Sequence, residues 1–208
     1  MTVSVHNIFV TPIYDALVDI KNVSLEDINS NEFHLTSPRP NAMHISSDQQ
    51  ILNNPEFSSI LESIDGHMFN FYHNILGYSK NSQPYMSASW IIKSNPGEES
   101  NSHTHANAIF SGVLYLQTED NCGDITFDLN WNDDRRITNV FEPDISEMNG
   151  FNNRVYSISP ATGRLIIFPS TLKHKVEINR SNVPRISIAF NYFLRGNFNV
   201  GGGNLKVN

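Results

Sequence analysis

Two histidines one residue apart, His103 and His105, stand in the stretch Asn101-Ser102-His103-Thr104-His105. On an extended segment residues i and i+2 point to the same side, so both imidazoles can approach one metal ion. A third imidazole, His174, sits where one apolar run ends at Pro169 and a new strand begins. In an antiparallel roll a strand far downstream returns beside an early one, which would deliver that third ligand from the opposite wall. Arg185 and Ser187 follow, at the start of the apolar run Ile186 to Phe193. In an alternating strand they share a face, and an arginine aimed into a barrel is costly unless it meets an anion. A guanidinium fork beside a hydroxyl suits a carboxylate. Tyr115 lies ten residues after His105 on the strand leaving the metal-binding end, so its hydroxyl is a further candidate for the same anion. Asn191, an even number of residues from Arg185, is expected on that interior face. Trp90 reads chiefly as a core residue.

The elements that must position these groups change character along the chain. Residues 1–80 form an N-terminal support region, with an edge strand or two and a variable loop before residue 50. A helix is expected over about 54–77, with Asn54 as N-cap, Pro55 at the first helical position and Gly77 as stop. Phe57, Ile60, Leu61, Ile64, Met68, Phe71, Tyr72 and Ile75 recur at spacings of three and four. His67 and His73 in this helix carry no partner spacing and read as partly exposed helix residues. From residue 85 to 195 seven short β-branched and aromatic runs alternate with turn clusters, which indicates an antiparallel sandwich or barrel. The fold class expected is mostly β, a jelly roll with a supporting helix, in one domain over 1–208. Residues 130–153, polar and anchored by Trp131, Phe141 and Phe151, read as a lid at the mouth of the barrel.

Composition narrows the function classes. The 208 residues carry 14 Lys+Arg against 21 Asp+Glu, a net charge of −7, which argues against binding nucleic acid through its phosphates. No apolar run approaches the roughly 18 residues that span a bilayer. The single Cys122 excludes an intramolecular disulfide and fits a reducing, cytoplasmic setting.

The stretches HTHANAIFSGVLYLQ, GRLIIFPSTLKHKV and RISIAFNY together resemble the Fe(II)/2-oxoglutarate-dependent oxygenase superfamily, whose pattern is HxD…H…R, often with RxS, on a double-stranded β-helix. More narrowly they are similar to a bacterial and phage branch with HxHP…SGxYYL, GxLxxFPSxLxH and RISxxFN; for a phage protein the setting would be the host cytoplasm. The resemblance covers about residues 86–195. It implies Fe(II) as metal and 2-oxoglutarate as co-substrate, with decarboxylation to succinate coupled to hydroxylation of a small molecule or protein side chain. It assigns His103, His105 and His174 to the metal, and Arg185, Ser187, Tyr115 and Asn191 to the co-substrate. Two departures stand out: His105 occupies the superfamily's carboxylate position, and Ala106 replaces the branch's proline. Either three imidazoles hold the metal, or a carboxylate such as Asp124 or Asp128 completes the set. The three-histidine set is preferred, because it matches HxD position for position.

Two other classes remain open on the sequence. One is a non-catalytic jelly-roll structural or binding module, which has no need of an inward arginine. The other is a cupin-like metal enzyme that does not use 2-oxoglutarate, against which stands the lack of a glutamate in residues 106–111. The oligomeric state is also open, a homodimer included.

Overall fold

The computed structural model describes residues 2–6, 8, 10–21, 23–129, 143–200 and 202–208. The N-terminal part contributes β1 (Tyr14–Leu17), α1 (Leu25–Asn29), β2 (Phe33–Leu35), β3 (His44–Ser46) and α2 (Ser58–Phe69). Then follow β4 (Ser82–Ser94), β5 (Phe110–Gln117), β6 (Ile125–Asp128), β7 (Val155–Ile158), β8 (Arg164–Pro169), β9 (His174–Val176), β10 (Arg185–Val200) and β11 (Gly203–Val207). The large sheet runs β1-β8-β5-β10-β4-β3-β2, with β11 paired to β10, and the small sheet runs β7-β6-β9. Every named pair is antiparallel. The architecture is a jelly roll, as the alternation of short runs and turns implies.

Side-chain alternation divides the large sheet into two faces. On one face Leu114 and Leu116 of β5 and Ile186, Ile188, Phe190 and Tyr192 of β10 meet Ile60, Ile64 and Met68 of α2 and Phe71 beyond it. On the other, Val113, Tyr115, Ile166 and Phe168 pack with Ile125 and Phe127 of the small sheet. The helical segment matches the expected span but is composite: a 3₁₀ turn at Pro55–Phe57, then α2, then a π turn at Asn70–Ile75. Gly77, at φ 74°, breaks it in the left-handed region that glycine tolerates. Asn54 does not cap it through its side chain; the amide donates to Asp48 Oδ2 at 3.0 Å instead. His67 hydrogen-bonds Tyr14 Oη through Nδ1 at 2.8 Å, a structural contact on the support helix.

Two expectations need amendment. β10 continues past the anticipated end at Phe193 to Val200 and forms a ribbon with β11, whose Leu205 is exposed. The polar, glycine-rich tail hides this pairing because the ribbon covers no core. The expected lid falls partly on residues 130–142, including Trp131 and Phe141, which lie outside the described residues; Phe151 is exposed. Among the described residues no helix is long and apolar enough to cross a membrane.

Candidate active site

His103 and His174, far apart in sequence, face each other in an isolated antiparallel bridge, with His103 N–H donating to His174 O at 2.8 Å and His174 N–H to His103 O at 3.0 Å. His105 is held next to them by its N–H, which donates to Ser170 O at 3.0 Å. The chain then turns into β5 through Asn107 at φ 55°, a conformation asparagine tolerates better than most residues. The result is a group of one donor nitrogen each from His103, His105 and His174, all within 4.8 Å of one another. His105 Nε2 and His174 Nε2 are 3.3 Å apart. Two nitrogens bound at about 2.1 Å to a shared ion stand roughly 3.0–3.4 Å apart, so this spacing fits a common metal.

The rings are prepared as ligands. His103 Nδ1 contacts Asn101 O at 2.8 Å and His174 Nδ1 contacts Leu172 O at 2.9 Å. A proton on each Nδ1 satisfies that carbonyl and leaves the Nε2 lone pair free, the arrangement that outer-shell carbonyls commonly impose. Burial, reinforced by the neighbouring His103, pulls His105 down to about 4, and burial pulls His174 down to about 3. Both are therefore neutral at pH 7, and no proton has to leave before a metal binds. Neither Asp124 nor Asp128 joins this donor group; the Asp128 carboxylate accepts from Ser102 Oγ at 3.2 Å.

The three histidines line a cavity of about 290 Å³. Arg185, 2 % exposed, reaches it from the start of β10. Its Nη1 donates to Cys122 O and Gly123 O, both at 2.9 Å, and Nη2 contacts Met43 Sδ at 3.4 Å. Among the described residues no carboxylate pairs with it, and burial holds its pKa below the usual guanidinium range. Tyr115 and Ser187 are cross-strand partners in the β5–β10 register and line the same cavity. The Tyr115 hydroxyl is buried with no hydrogen-bond partner, and burial, partly offset by Arg185, pushes it up to about 12. An unmatched buried cation beside an unmatched buried donor fits a carboxylate from outside the chain.

Asn191 lies on the expected face, that of Arg185 and Ser187 on β10, beyond the residues that line the cavity. Its Oδ1 accepts from Ser111 Oγ at 2.7 Å, and Ser111 Oγ lies 2.8 Å from Ser170 Oγ. This chain ends on the residue whose carbonyl fixes His105, so Asn191 reaches the site through Ser170. Trp90 lines the cavity, its ring 6.0 Å from that of His105, although it reads as core on sequence. Met43, Ser170 and the loop 36–43 were not anticipated. The Ser-Pro-Arg-Pro run at 37–40 is their one signal, since an arginine locked between prolines is stiff and of restricted conformation.

Residues 88–191 match a family model described as "Putative 2OG-Fe(II) oxygenase". No curated protein matches the chain. Among solved structures, a prolyl-4-hydroxylase from Pseudomonas putida superposes with a TM-score of 0.57 at 14% identity, over 89% of this chain and 94% of that one. A 2OG-Fe(II) oxygenase family oxidoreductase from Burkholderia pseudomallei gives 0.54 at 16% identity, over 81% and 77%. HygX from Streptomyces hygroscopicus, solved with nickel, 2-oxoglutarate and hygromycin B, gives 0.54 at 10% identity, over 88% and 82%. At these identities the likeness is one of fold.

Proposed function

This chain belongs to the 2OG-Fe(II) oxygenase family, whose model matches half of its 208 residues, and on that premise we propose that it is an Fe(II)- and 2-oxoglutarate-dependent hydroxylase. His103, His105 and His174 would hold the metal, and Arg185, Tyr115 and Ser187 the far carboxylate of the co-substrate. One observation carries the reading: a single cavity joins three ligand-ready imidazoles to a buried guanidinium without a carboxylate and a buried phenol without a partner. When bound, Fe(II) and 2-oxoglutarate would activate dioxygen, the oxidant, one oxygen atom going to the succinate formed with carbon dioxide from the co-substrate and the other to the hydroxylated product.

The chain's own residues do the positioning. Two backbone carbonyls grip Nη1 of Arg185, which fixes the plane of the fork, while Nη2 faces the Met43 thioether of the cavity lining. Tyr115, with its pKa near 12, stays protonated at neutral pH and donates to the same carboxylate. Val113, Ile125 and Phe168 keep water from the space between that seat and the histidines. Three neutral imidazoles leave the metal one unit more positive than two imidazoles and a carboxylate would. The support region before residue 80 and the core at 85–195 act together, since loop 36–43 supplies part of the cavity wall.

Anaerobic titration with Fe(II) and then 2-oxoglutarate tests the reading. Bidentate chelation of iron by the co-substrate is expected to produce a weak visible charge-transfer band. A protein that binds iron but never develops the band would overturn the assignment.

A further inference from the structure

The cavity has a second cationic seat, at its mouth, which the co-substrate reading leaves unused. The loop 36–43 between β2 and β3 closes on itself through Thr36 N–H to Met43 O at 2.9 Å. It docks on the segment leading to the metal-binding turn: Glu99 N–H donates to Asn41 O at 3.0 Å, and Asn41 Nδ2 donates to Glu99 Oε1 at 2.8 Å. Thr36, Ser37, Arg39 and Met43 of this loop line the cavity. Arg39 stands between Pro38 and Pro40, so its backbone is restricted before any ligand arrives. Its Nε donates to Ser37 Oγ at 3.4 Å. Glu99 lies 3.9 Å from Nη1, beyond hydrogen-bond reach, with that same oxygen already engaged by Asn41. Among the described residues Glu99 is the one carboxylate paired with Arg39, at long range, so the guanidinium is only loosely matched.

The charge of the lining points the same way. Among the described residues that line the cavity none is Asp or Glu, in a chain where acids outnumber bases by 21 to 14. The lining instead has two arginines, Arg185 deeply buried and Arg39 half-exposed, together with the apolar Met43, Ile45, Trp90 and Ile92. At about 290 Å³ the space lies at the lower limit of ordinary ligand cavities, roughly 300–1,000 Å³. With the co-substrate inside, only a small group fits beyond it.

We propose that the primary substrate is a small oxyanion, a carboxylate or a phosphate monoester, whose charge Arg39 receives at the mouth while its apolar part lies against Met43, Ile45 and Trp90. The inference rests on the oxygenase reading above. Arg39 would act as a specificity residue and touch neither the metal nor 2-oxoglutarate.

The test is anaerobic calorimetry on the protein saturated with Fe(II) and 2-oxoglutarate, after the charge-transfer band has been recorded. The probes are straight-chain carboxylic acids of increasing length, their primary amides, and phosphate monoesters of the matching alcohols. Acids or phosphate monoesters are expected to bind and amides to fail, and whichever oxyanion binds better identifies the class. Arg39→Gln should weaken that binding about tenfold or more, the worth of a charge-assisted hydrogen bond, with 2-oxoglutarate affinity unchanged. Arg39→Lys should recover part of the loss, and Glu99→Gln, which removes the competing carboxylate, should tighten binding about two- to threefold. Amides binding as well as acids, binding indifferent to Arg39→Gln, or no oxyanion binding at millimolar concentration would each overturn the proposal while leaving the oxygenase reading intact. Absence of the band would overturn the reading itself, and this inference with it.

Discussion

Two buried tyrosines sit on neighbouring strands of the large sheet and face opposite ways. Tyr192, on the face that packs against α2, donates its hydroxyl to the Asp65 carboxylate. Tyr115, on the cavity face, is as deeply buried and donates to nothing. Two arginines that open strands differ by their place within one face: Arg164 on β8, outside the cavity, is paired with Asp15, whereas Arg185 on β10, inside it, has only backbone carbonyls and a thioether. An unpaired buried polar group costs about 1–3 kcal/mol. Tyr192 and Arg164 are thus completed by the chain itself, while Tyr115 and Arg185 would be completed by the proposed co-substrate. Alternation along β5 and β10 lets the same strands serve both ends.

The contrast breaks most sharply at the histidines. His174→Ala should abolish Fe(II) binding in anaerobic titration, and His103→Ala and His105→Ala should each weaken it severely, because an incomplete facial set remains. Asp124→Ala should bind iron like the wild type; if it does not while His105→Ala does, the ligand set is wrong. Next comes Arg185→Ala. Leaving a buried carboxylate unmatched costs about 3–5 kcal/mol, so 2-oxoglutarate affinity should fall by roughly two to three orders of magnitude with iron affinity intact. Arg185→Lys should restore only part, since an ammonium cannot reproduce the fork.

The tyrosines give the sharpest comparison. Tyr192→Phe strips Asp65 of its donor and should lower folding stability by about 1–2 kcal/mol in denaturant unfolding, without touching 2-oxoglutarate binding. Tyr115→Phe should leave stability unchanged or slightly raised, yet weaken 2-oxoglutarate roughly five- to tenfold. Identical behaviour of the two variants would erase the distinction between the faces. A further comparison is in pH. Unfolded imidazoles titrate near 6.5, whereas His105 and His174 are held at about 4 and about 3 in the fold. Below 6.5 the unfolded chain takes up protons that the folded one refuses, so metal-free stability should fall as pH drops from about 6.5 toward 3. Above that window these groups contribute no slope, and His174→Gln should flatten the acid limb.

The strands that carry the chemistry were readable because each buries at least one face: β5, β8 and β10 show dense β-branched and aromatic runs with period two. His103, His105, His174, Arg185, Ser187 and Tyr115 could be grouped because strand parity fixes which side a residue takes. Parity gives the face of Asn191 but not the capture of its side-chain oxygen by Ser111 across the sheet. It was silent on Arg39 and Met43, which arrive on a loop whose docking depends on backbone hydrogen bonds that leave no periodic trace. The β10–β11 ribbon escaped notice for the opposite reason, having no buried face to mark it.

The bridge between His103 and His174 carries a consequence for how the molecule matures. Their two reciprocal hydrogen bonds join segments separated by β5, β6, β7 and β8. Such long-range pairing is among the slower events in forming an antiparallel roll. A nascent or denatured chain therefore presents only the adjacent couple His103 and His105, a weak trap for metal. The third donor arrives when the roll closes. Small metal-nucleated domains remain unfolded until the ion binds; here the backbone bridge, which needs no ion, would bring the third donor into place as the roll closes.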